Sequence, residues 1–393
     1  MPIALLALTI SAFAIGTTEF VIVGLIPTIA GQLQVTVPSA GLLVSIYALG
    51  VAVGAPVLTA LTSRVPRKML LVSLMLLFTL GNLLAWRAPD YMTLVAARLV
   101  TGLSHGVFFS IGSTIATSLV SKEKAASAIA MMFGGLTIAL VTGVPLGTFI
   151  GQHVGWREAF LAVSFIGLIA MLASLFLLPG TIKNSPSVPL RQQMRVLTNP
   201  HLLLIYAITA LGYGGVFTTF TFLAPMMQQQ AGFSAPAVSW ILLAYGISVA
   251  IGNIWGGKLA DRHGAVRALT LIFGALGILL LVFQFTASYS IPALMTLLVM
   301  GIFAFGNVPA LQVYVVQKAE HYAPDAVDIA SGLNIAAFNA GIALGSSIGG
   351  QTVARLGLAQ TPWIGGVIVL AALLLVSLSG YLDRKKPAVL PAA

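Results

Sequence analysis

Nine carboxylates occur in the 393-residue chain, and eight of them (Asp90, Glu123, Glu158, Asp261, Glu320, Asp325, Asp328 and Asp383) fall at polar breaks or at the ends of apolar stretches. Glu19 is the exception, standing in the middle of an apolar stretch. A carboxylate near the centre of a bilayer costs about 3 kcal/mol on insertion scales, so an unpaired one is expected to face a cavity and to bind a proton readily. One pH unit across a membrane is worth about 1.4 kcal/mol per proton, and 100 mV adds about 2.3 kcal/mol for a charge that crosses fully. A single carboxylate that loads and unloads can therefore drive modest accumulation of a solute. The alternative is a protonated structural Glu19 that donates one hydrogen bond inside a helix bundle. The adjoining Thr17 and Thr18 can hydrogen-bond a substrate or bond back to their own helix.

Arg98, Gly102, His105 and Phe109 recur at i, i+4, i+7 and i+11, which lays them along one stripe of a helix. Arg98 lies inside an apolar span and must face the interior. It is either a working charge or a strut that satisfies backbone carbonyls. His105 is suited to titration near neutral pH, to hydrogen-bonding a polar substrate, or to plain packing. Gly143, Gly147 and Gly151 repeat every four residues and give a flat face for close helix packing, with Pro145 bending the span. In the second half of the chain Tyr213, Asn307, Gln312, Asn334 and Asn339 are polar groups in apolar spans, with Phe217 and Phe220 nearby. They can line a mixed cavity or serve as interhelical glue worth roughly 0.6 kcal/mol each. Asn334 and Asn339 lie roughly 140 degrees apart around a helix, so one of them at most is expected to face the centre.

The elements that must position these groups follow from composition. A chain that is 59% apolar and only 7% charged cannot be a water-soluble globule, since soluble proteins average about 25% charged residues. Apolar windows fall near residues 3–29, 39–62, 69–86, 92–120, 125–152, 157–179, 201–228, 235–257, 267–287, 291–317, 327–354 and 362–382. Each is close to the roughly 20 residues that span a bilayer core. The first lacks a basic leader and contains Glu19, so it reads as a retained span and not as a cleaved signal. Alternate breaks carry Arg64, Arg67, Lys68, Lys122, Lys124, Lys183, Arg191, Arg195, Lys258, Arg262, Arg267, Lys318 and residues 384–386, whereas the opposite breaks carry only Arg87, Arg157 and Arg355. That asymmetry predicts both termini on the cytoplasmic side. It also makes the net charge of +10 a topology signal, with no nucleic-acid partner expected.

The longest polar break, residues 180–200, holds Gly180, Pro186, Pro189 and Pro200 and reads as a cytoplasmic linker between residues 1–179 and 201–393. Adding 198 maps Pro27 to Pro225, Pro38 to Pro236, Tyr47 to Tyr245, Gly54 to Gly252 and Arg64 to Arg262, and adding 199 maps Gly102 to Gly301 and Gly151 to Gly350. The fold class expected is an all-α membrane protein, with twelve transmembrane helices in two six-helix bundles related by a parallel pseudo-two-fold repeat. Transporters that rock two bundles about a central site are built this way.

The stretch Gly257-Lys258-Leu259-Ala260-Asp261-Arg262-His263-Gly264 resembles the G-x-L-A-D-R-x-G loop motif of the major facilitator superfamily. Arg98 resembles the buried arginine of that superfamily's drug:proton antiporter branch, and Gly143-Val144-Pro145-Leu146-Gly147 is similar to the branch's glycine and proline motif. Gly16-Thr17-Thr18-Glu19-Phe20 looks like the first-span signature of bacterial sugar-efflux and arabinose-efflux permeases. The resemblance covers essentially the whole chain. It implies a role for Arg98 in proton relay, a leak-preventing face at Gly143, Pro145 and Gly147, and a gate at Gly257, Asp261, Arg262 and Gly264 with Arg64 as the first-half counterpart. Asp261 is expected to hold the inner ends of the bundles together by accepting from nearby basic groups and from the start of the following helix. The first-half loop departs from the motif, with Ser63 where the repeat has Asp261 and Pro66 where it has Gly264.

With no cysteine there are no disulfides or thiolate metal sites, and no G-x-x-x-x-G-K-[ST] segment is present to bind a nucleotide. The expectation is a non-enzyme without cofactors, monomeric in a bacterial inner membrane, that exports a small organic solute such as a sugar or drug-like compound in exchange for protons. A proton-independent facilitator or an importer of the same fold is the alternative. Its partners would be the solute, protons and lipid, with Glu19, Arg98 and His105 as coupling residues.

Overall fold

A computed structural model describes residues 3–62, 64–121, 125–180, 182 and 196–385. Among them there is no strand, and twelve helices are long and apolar enough to cross a membrane. They are α1 (Ala4–Gln32), α2 (Val37–Leu58), α3 (Arg67–Arg87), α4 (Tyr91–Ser118), α5 (Ala128–His153), α6 (Trp156–Leu177), α7 (Pro200–Gln229), α8 (Ala235–His263), α9 (Ala265–Thr286), α10 (Ser290–Tyr322), α11 (Ile329–Leu356) and α12 (Leu358–Arg384). All twelve expected spans are present. Ser63 and most of the expected linker at 180–200 lie outside the described residues, as do Lys122, Glu123, Lys124, Lys183, Arg191, Arg195 and Lys386.

Polar residues set the starts. Thr36 accepts from the Ser39 amide at 3.2 Å to cap α2, Asp90 accepts from the Thr93 amide at 2.8 Å to cap α4, and Asn199 accepts from the His201 and Leu202 amides at 3.0 and 3.3 Å to cap α7. The Thr93 amide also holds the Asp90 carboxyl below the ordinary carboxylate range. Two spans end later than hydropathy implies. Helix α8 continues through Lys258, Asp261 and Arg262 to His263, so the motif expected to be a loop is the last helical turn, and the chain reverses only at Gly264, with φ of 81°. Helix α10 likewise runs on to Tyr322. Water satisfies their polar side chains beyond the lipid while the backbone ladder continues.

Two spans carry a π-helical turn: Gly54–Leu58 in α2, which contains Pro56, and Ala139–Gly143 in α5, which ends two residues before Pro145. A single wide turn of this kind lets the ladder accommodate a missing donor, so the bend expected from Pro145 is taken up one turn before it.

Glycine sets how closely helices approach. In the first half α2 and α4 cross with backbone on backbone: a Cβ added at Gly102 would overlap the Tyr47 carbonyl oxygen, and one at Gly54 would lie 2.9 Å from that of Leu103. In the second half α8 and α10 cross the same way, a Cβ at Gly252 overlapping the Ile302 carbonyl and one at Gly256 that of Gly306. Leu103 and Ile302 are 199 apart, so the sequence repeat coincides with a repeated packing contact. The two halves meet through α2 against α11, where Ser347 donates to Ser45 at 3.1 Å, through α2 against α7, where the Phe222 ring covers Gly41, and through α5 against α8, where Ser239 donates to Gln152 at 3.1 Å.

Gly256→Ala is expected to destabilise the protein by about 2 kcal/mol through overpacking against the Gly306 backbone, which cannot give way as a flexible side chain would. Gly274→Ala, whose Cβ would meet only the Leu373 side chain at 3.9 Å, is expected to be neutral or slightly stabilising. Thermal unfolding in detergent, followed by tryptophan fluorescence, distinguishes the two.

Candidate functional site

Glu19 sits near the middle of α1, buried and directed into the protein. Its helix is fixed against α5 by a run of small residues. Side chains Thr17, Val21 and Leu25 lie where Cβ atoms of Gly143, Gly147 and Gly151 would otherwise be, so the glycine face is the groove in which α1 rests. This orientation decides what the neighbouring threonines do. Thr17 points at α5 and returns its hydroxyl to the Phe13 carbonyl at 2.8 Å. Thr18 points the other way, donating to Asn82 Oδ1 on α3 at 2.6 Å, while Asn82 in turn donates to the Phe78 carbonyl at 2.9 Å.

Arg98 reaches α1 and α2 from α4 and is 1% exposed. Its guanidinium donates to three backbone carbonyls: Nη1 to Thr18 at 2.7 Å, Nη2 to Glu19 at 3.4 Å and Nε to Leu43 at 3.3 Å. The Tyr47 ring lies beneath it, 4.1 Å from ring centre to Cζ. The charge is therefore held by backbone oxygens beside Glu19, near enough to act on the carboxylate through space, although no direct ion pair joins the two side chains among the described residues. What faces the carboxylate is His105, whose Nδ1 lies 3.9 Å from Glu19 Oε2 and is hydrogen-bonded to the Tyr47 hydroxyl at 3.0 Å. Phe109 packs on the imidazole at 4.9 Å between ring centres. The stripe Arg98, His105, Phe109 thus forms one polar wall with Glu19 and Tyr47. Such an arrangement can hold a proton on Glu19 and present an imidazole one short step away.

The second half contributes an aromatic wall. Phe20, next to Glu19, meets Phe217, Phe220 and Phe305 at 6.2, 6.5 and 6.1 Å between centres. Tyr213 joins Phe217, Phe305 and Phe338 at 5.2, 5.5 and 5.0 Å, and Phe220 stacks on Tyr245 at 5.3 Å. Of the amides, Gln312 and Asn334 are committed to each other: Thr209 donates to Asn334 Oδ1 at 2.7 Å, Asn334 Nδ2 to Gln312 Oε1 at 3.0 Å, and Gln312 Nε2 to the Ser331 hydroxyl. Asn307 and Asn339 stand outside that chain. Each donates to a carbonyl of its own helix, Ala304 at 2.8 Å and Ile335 at 3.1 Å, and each has a buried Oδ1 without a hydrogen-bond partner among the described residues, as does the Tyr245 hydroxyl.

The gating residues are arranged differently from expectation. Asp261 is exposed on the last turn of α8, and among the described residues no hydrogen bond or ion pair reaches it. The tie expected between it and surrounding basic groups is not formed among the described residues: Lys258, three residues back on the same helix, Arg262 and Arg64 are all exposed as well. A Cβ added at Gly257 would lie 3.7 Å from Pro309 of α10, and Gly264 supplies the turn. The ion pair on that side of the molecule joins Lys318 of α10 to Asp383 of α12, with Tyr314 donating to Asp383 at 3.2 Å.

Sequence reasoning passed over Tyr47, Asn82, Phe305 and Phe338 as contributors. Tyr47 was visible only as a repeat match to Tyr245, and Asn82 as an amide within an apolar window.

Twelve apolar helices around a buried acid, with an aromatic wall opposite, define a membrane transporter. The family model described as Major Facilitator Superfamily matches residues 8–327 and again 207–393, and the chain belongs to that superfamily. It is 52% identical over 382 residues to the MFS-type transporter YtbD of Bacillus subtilis, covering 97% of this chain and 96% of the relative. It is 43% identical over 387 residues to the inner membrane transport protein YdhP of Escherichia coli, covering 98% and 96%. It is also 33% identical over 385 residues to a chloramphenicol resistance protein of Streptomyces lividans, covering 95% of each.

Arg98→Lys is expected to lower stability by about 1–3 kcal/mol, because a single ammonium cannot serve carbonyls on α1 and α2 as a planar fork does and leaves buried acceptors unpaired. Denaturation of the purified variant beside an Asn82→Ala control, which loses two neutral hydrogen bonds and no charge, measures the difference.

Proposed function

We propose that the chain is a secondary active transporter that exports a small organic solute in exchange for protons by alternating access, with Glu19 as the proton carrier. The observation that carries this reading is that Arg98, held by three backbone carbonyls, makes no direct ion pair with the Glu19 carboxylate among the described residues, while the His105 imidazole faces the acid. An acid clamped in an ion pair could not exchange its proton with both sides of a membrane. Tyr47 extends the polar path from His105, and the glycine face of α5 keeps α1 in register with it.

The solute would bind between the polar wall and the aromatic wall. Rings at Tyr213, Phe217, Phe220, Phe305 and Phe338 favour a molecule with an apolar or planar face, and the unpartnered oxygens of Asn307 and Asn339 favour one with donor groups. The name of the Streptomyces relative is compatible with an amphipathic drug-like compound, and a sugar, whose hydroxyls donate, meets the same requirement. The protein would work as a monomer in a bacterial inner membrane with both termini cytoplasmic.

Proteoliposome transport under an imposed pH gradient, with a panel that includes chloramphenicol and pentoses, tests the coupling. The wild type is expected to move its solute uphill and to stop when an uncoupler is added, whereas Glu19→Gln retains solute exchange but loses the gradient-driven component. Full pH-driven transport by Glu19→Gln sinks the assignment, and uncoupler-insensitive equilibration by the wild type favours a facilitator. Orientation has a separate test that the cysteine-free sequence makes simple. A cysteine at Arg384 should be labelled by an impermeant thiol reagent only from the cytoplasmic side, and one at Gln34 only from outside.

A further inference from the structure

Away from the transport site, on the face that carries the basic breaks, the ends of α8, α9, α10 and α12 enclose a cleft of about 550 Å³. Its lining presents His263, Arg267, Lys318, His321 and Arg384 against a single carboxylate, Asp383. That carboxylate is already engaged by Lys318 and by the Tyr314 hydroxyl. Arg267 and Arg384 are exposed and, among the described residues, make no hydrogen bond or ion pair. The first turn of the 22-residue α9 also lines the cleft, so the positive end of its dipole points into the same space. The cleft therefore has the chemistry of a phosphate site, cationic and rich in donors. Its position sets the source of the phosphate. It lies at the level where spans leave the hydrocarbon, and Leu378 (46% exposed) and Tyr381 (53% exposed) of α12 lie just before it along the helix.

We propose that this cleft seats the phosphate headgroup of an anionic phospholipid from the leaflet on its side, with Arg267 and Arg384 as the principal contacts and Lys318 held in place by Asp383. Basic pockets between span ends on the positively charged face are suited to such headgroups. The acyl chains would lie along the exposed apolar surface of α12.

Native mass spectrometry of the full chain released from nanodiscs of phosphatidylethanolamine with phosphatidylglycerol tests the assignment. The wild type is expected to retain phosphatidylglycerol, and Arg267→Gln with Arg384→Gln to retain about thirtyfold less, each charge near an anionic surface being worth roughly fivefold. Lys258→Gln with Arg262→Gln, which removes the same charge from the same face outside the cleft, should retain it as the wild type does. A second arm adds inorganic phosphate to protein in phosphatidylethanolamine alone and follows thermal unfolding. Equal retention by all three proteins overturns the proposal. So does stabilisation of the wild type by inorganic phosphate, absent in the cleft variant, when retention of phosphatidylglycerol does not differ, because the site then takes a soluble anion.

Discussion

A guanidinium that is almost completely withdrawn from water must find acceptors in the protein, and the organisation of the first six helices follows from where Arg98 finds them. Its three carbonyl partners belong to α1 and α2, so one side chain on α4 ties three helices together at mid-membrane depth. Tyr47, beneath the cation, also reaches His105. Backbone oxygens are partial charges and cannot be titrated away, so the cation keeps its partners whatever the protonation of its surroundings. The neighbouring acid makes no direct ion pair with that cation among the described residues and feels it only through space.

Such a site works only if the helix that carries the acid cannot rotate or slide. The pairing of Thr17, Val21 and Leu25 with Gly143, Gly147 and Gly151 supplies that restraint through shape alone, since lipid tails compete with any purely apolar contact and only close fit discriminates. The second half has no comparable charge at its centre. It offers rings and two amide oxygens in want of donors, so the halves differ in chemistry: buried charged and titratable groups on one side, aromatic rings on the other.

Much of this was legible in the residues, for identifiable reasons. Spans appear as apolar windows because the bilayer imposes a length, and the repeat appears because glycines at backbone crossings cannot be replaced without moving a helix. The ends of α8 and α10 were misplaced because hydropathy reports where lipid stops, and helices such as the one bearing Lys258 to His263 continue into water. Glu19 was conspicuous by type and place. Its surroundings were not: the Tyr47 and Thr18 partners lie 58 and 64 positions away in the chain, and no local pattern encodes them. Adjacent Thr17 and Thr18 looked equivalent, yet one residue of helical rotation sends them to α5 and α3. Asp261 carried a recognisable pattern of complementary charge, and the pattern did not reveal that Asp261 and the basic groups around it are all exposed.

The two wide turns have a mechanical meaning. They occur in α2 and α5, the members of the first half that touch α11 and α8, whereas α8 and α11 run as uninterrupted α-helix along their lengths. A wide turn leaves a local gap in the ladder where a rod can flex without breaking further bonds. Compliance along the seam is thus lopsided: the two first-half helices that form it can flex at their wide turns, while α8 and α11 opposite them are continuous rods.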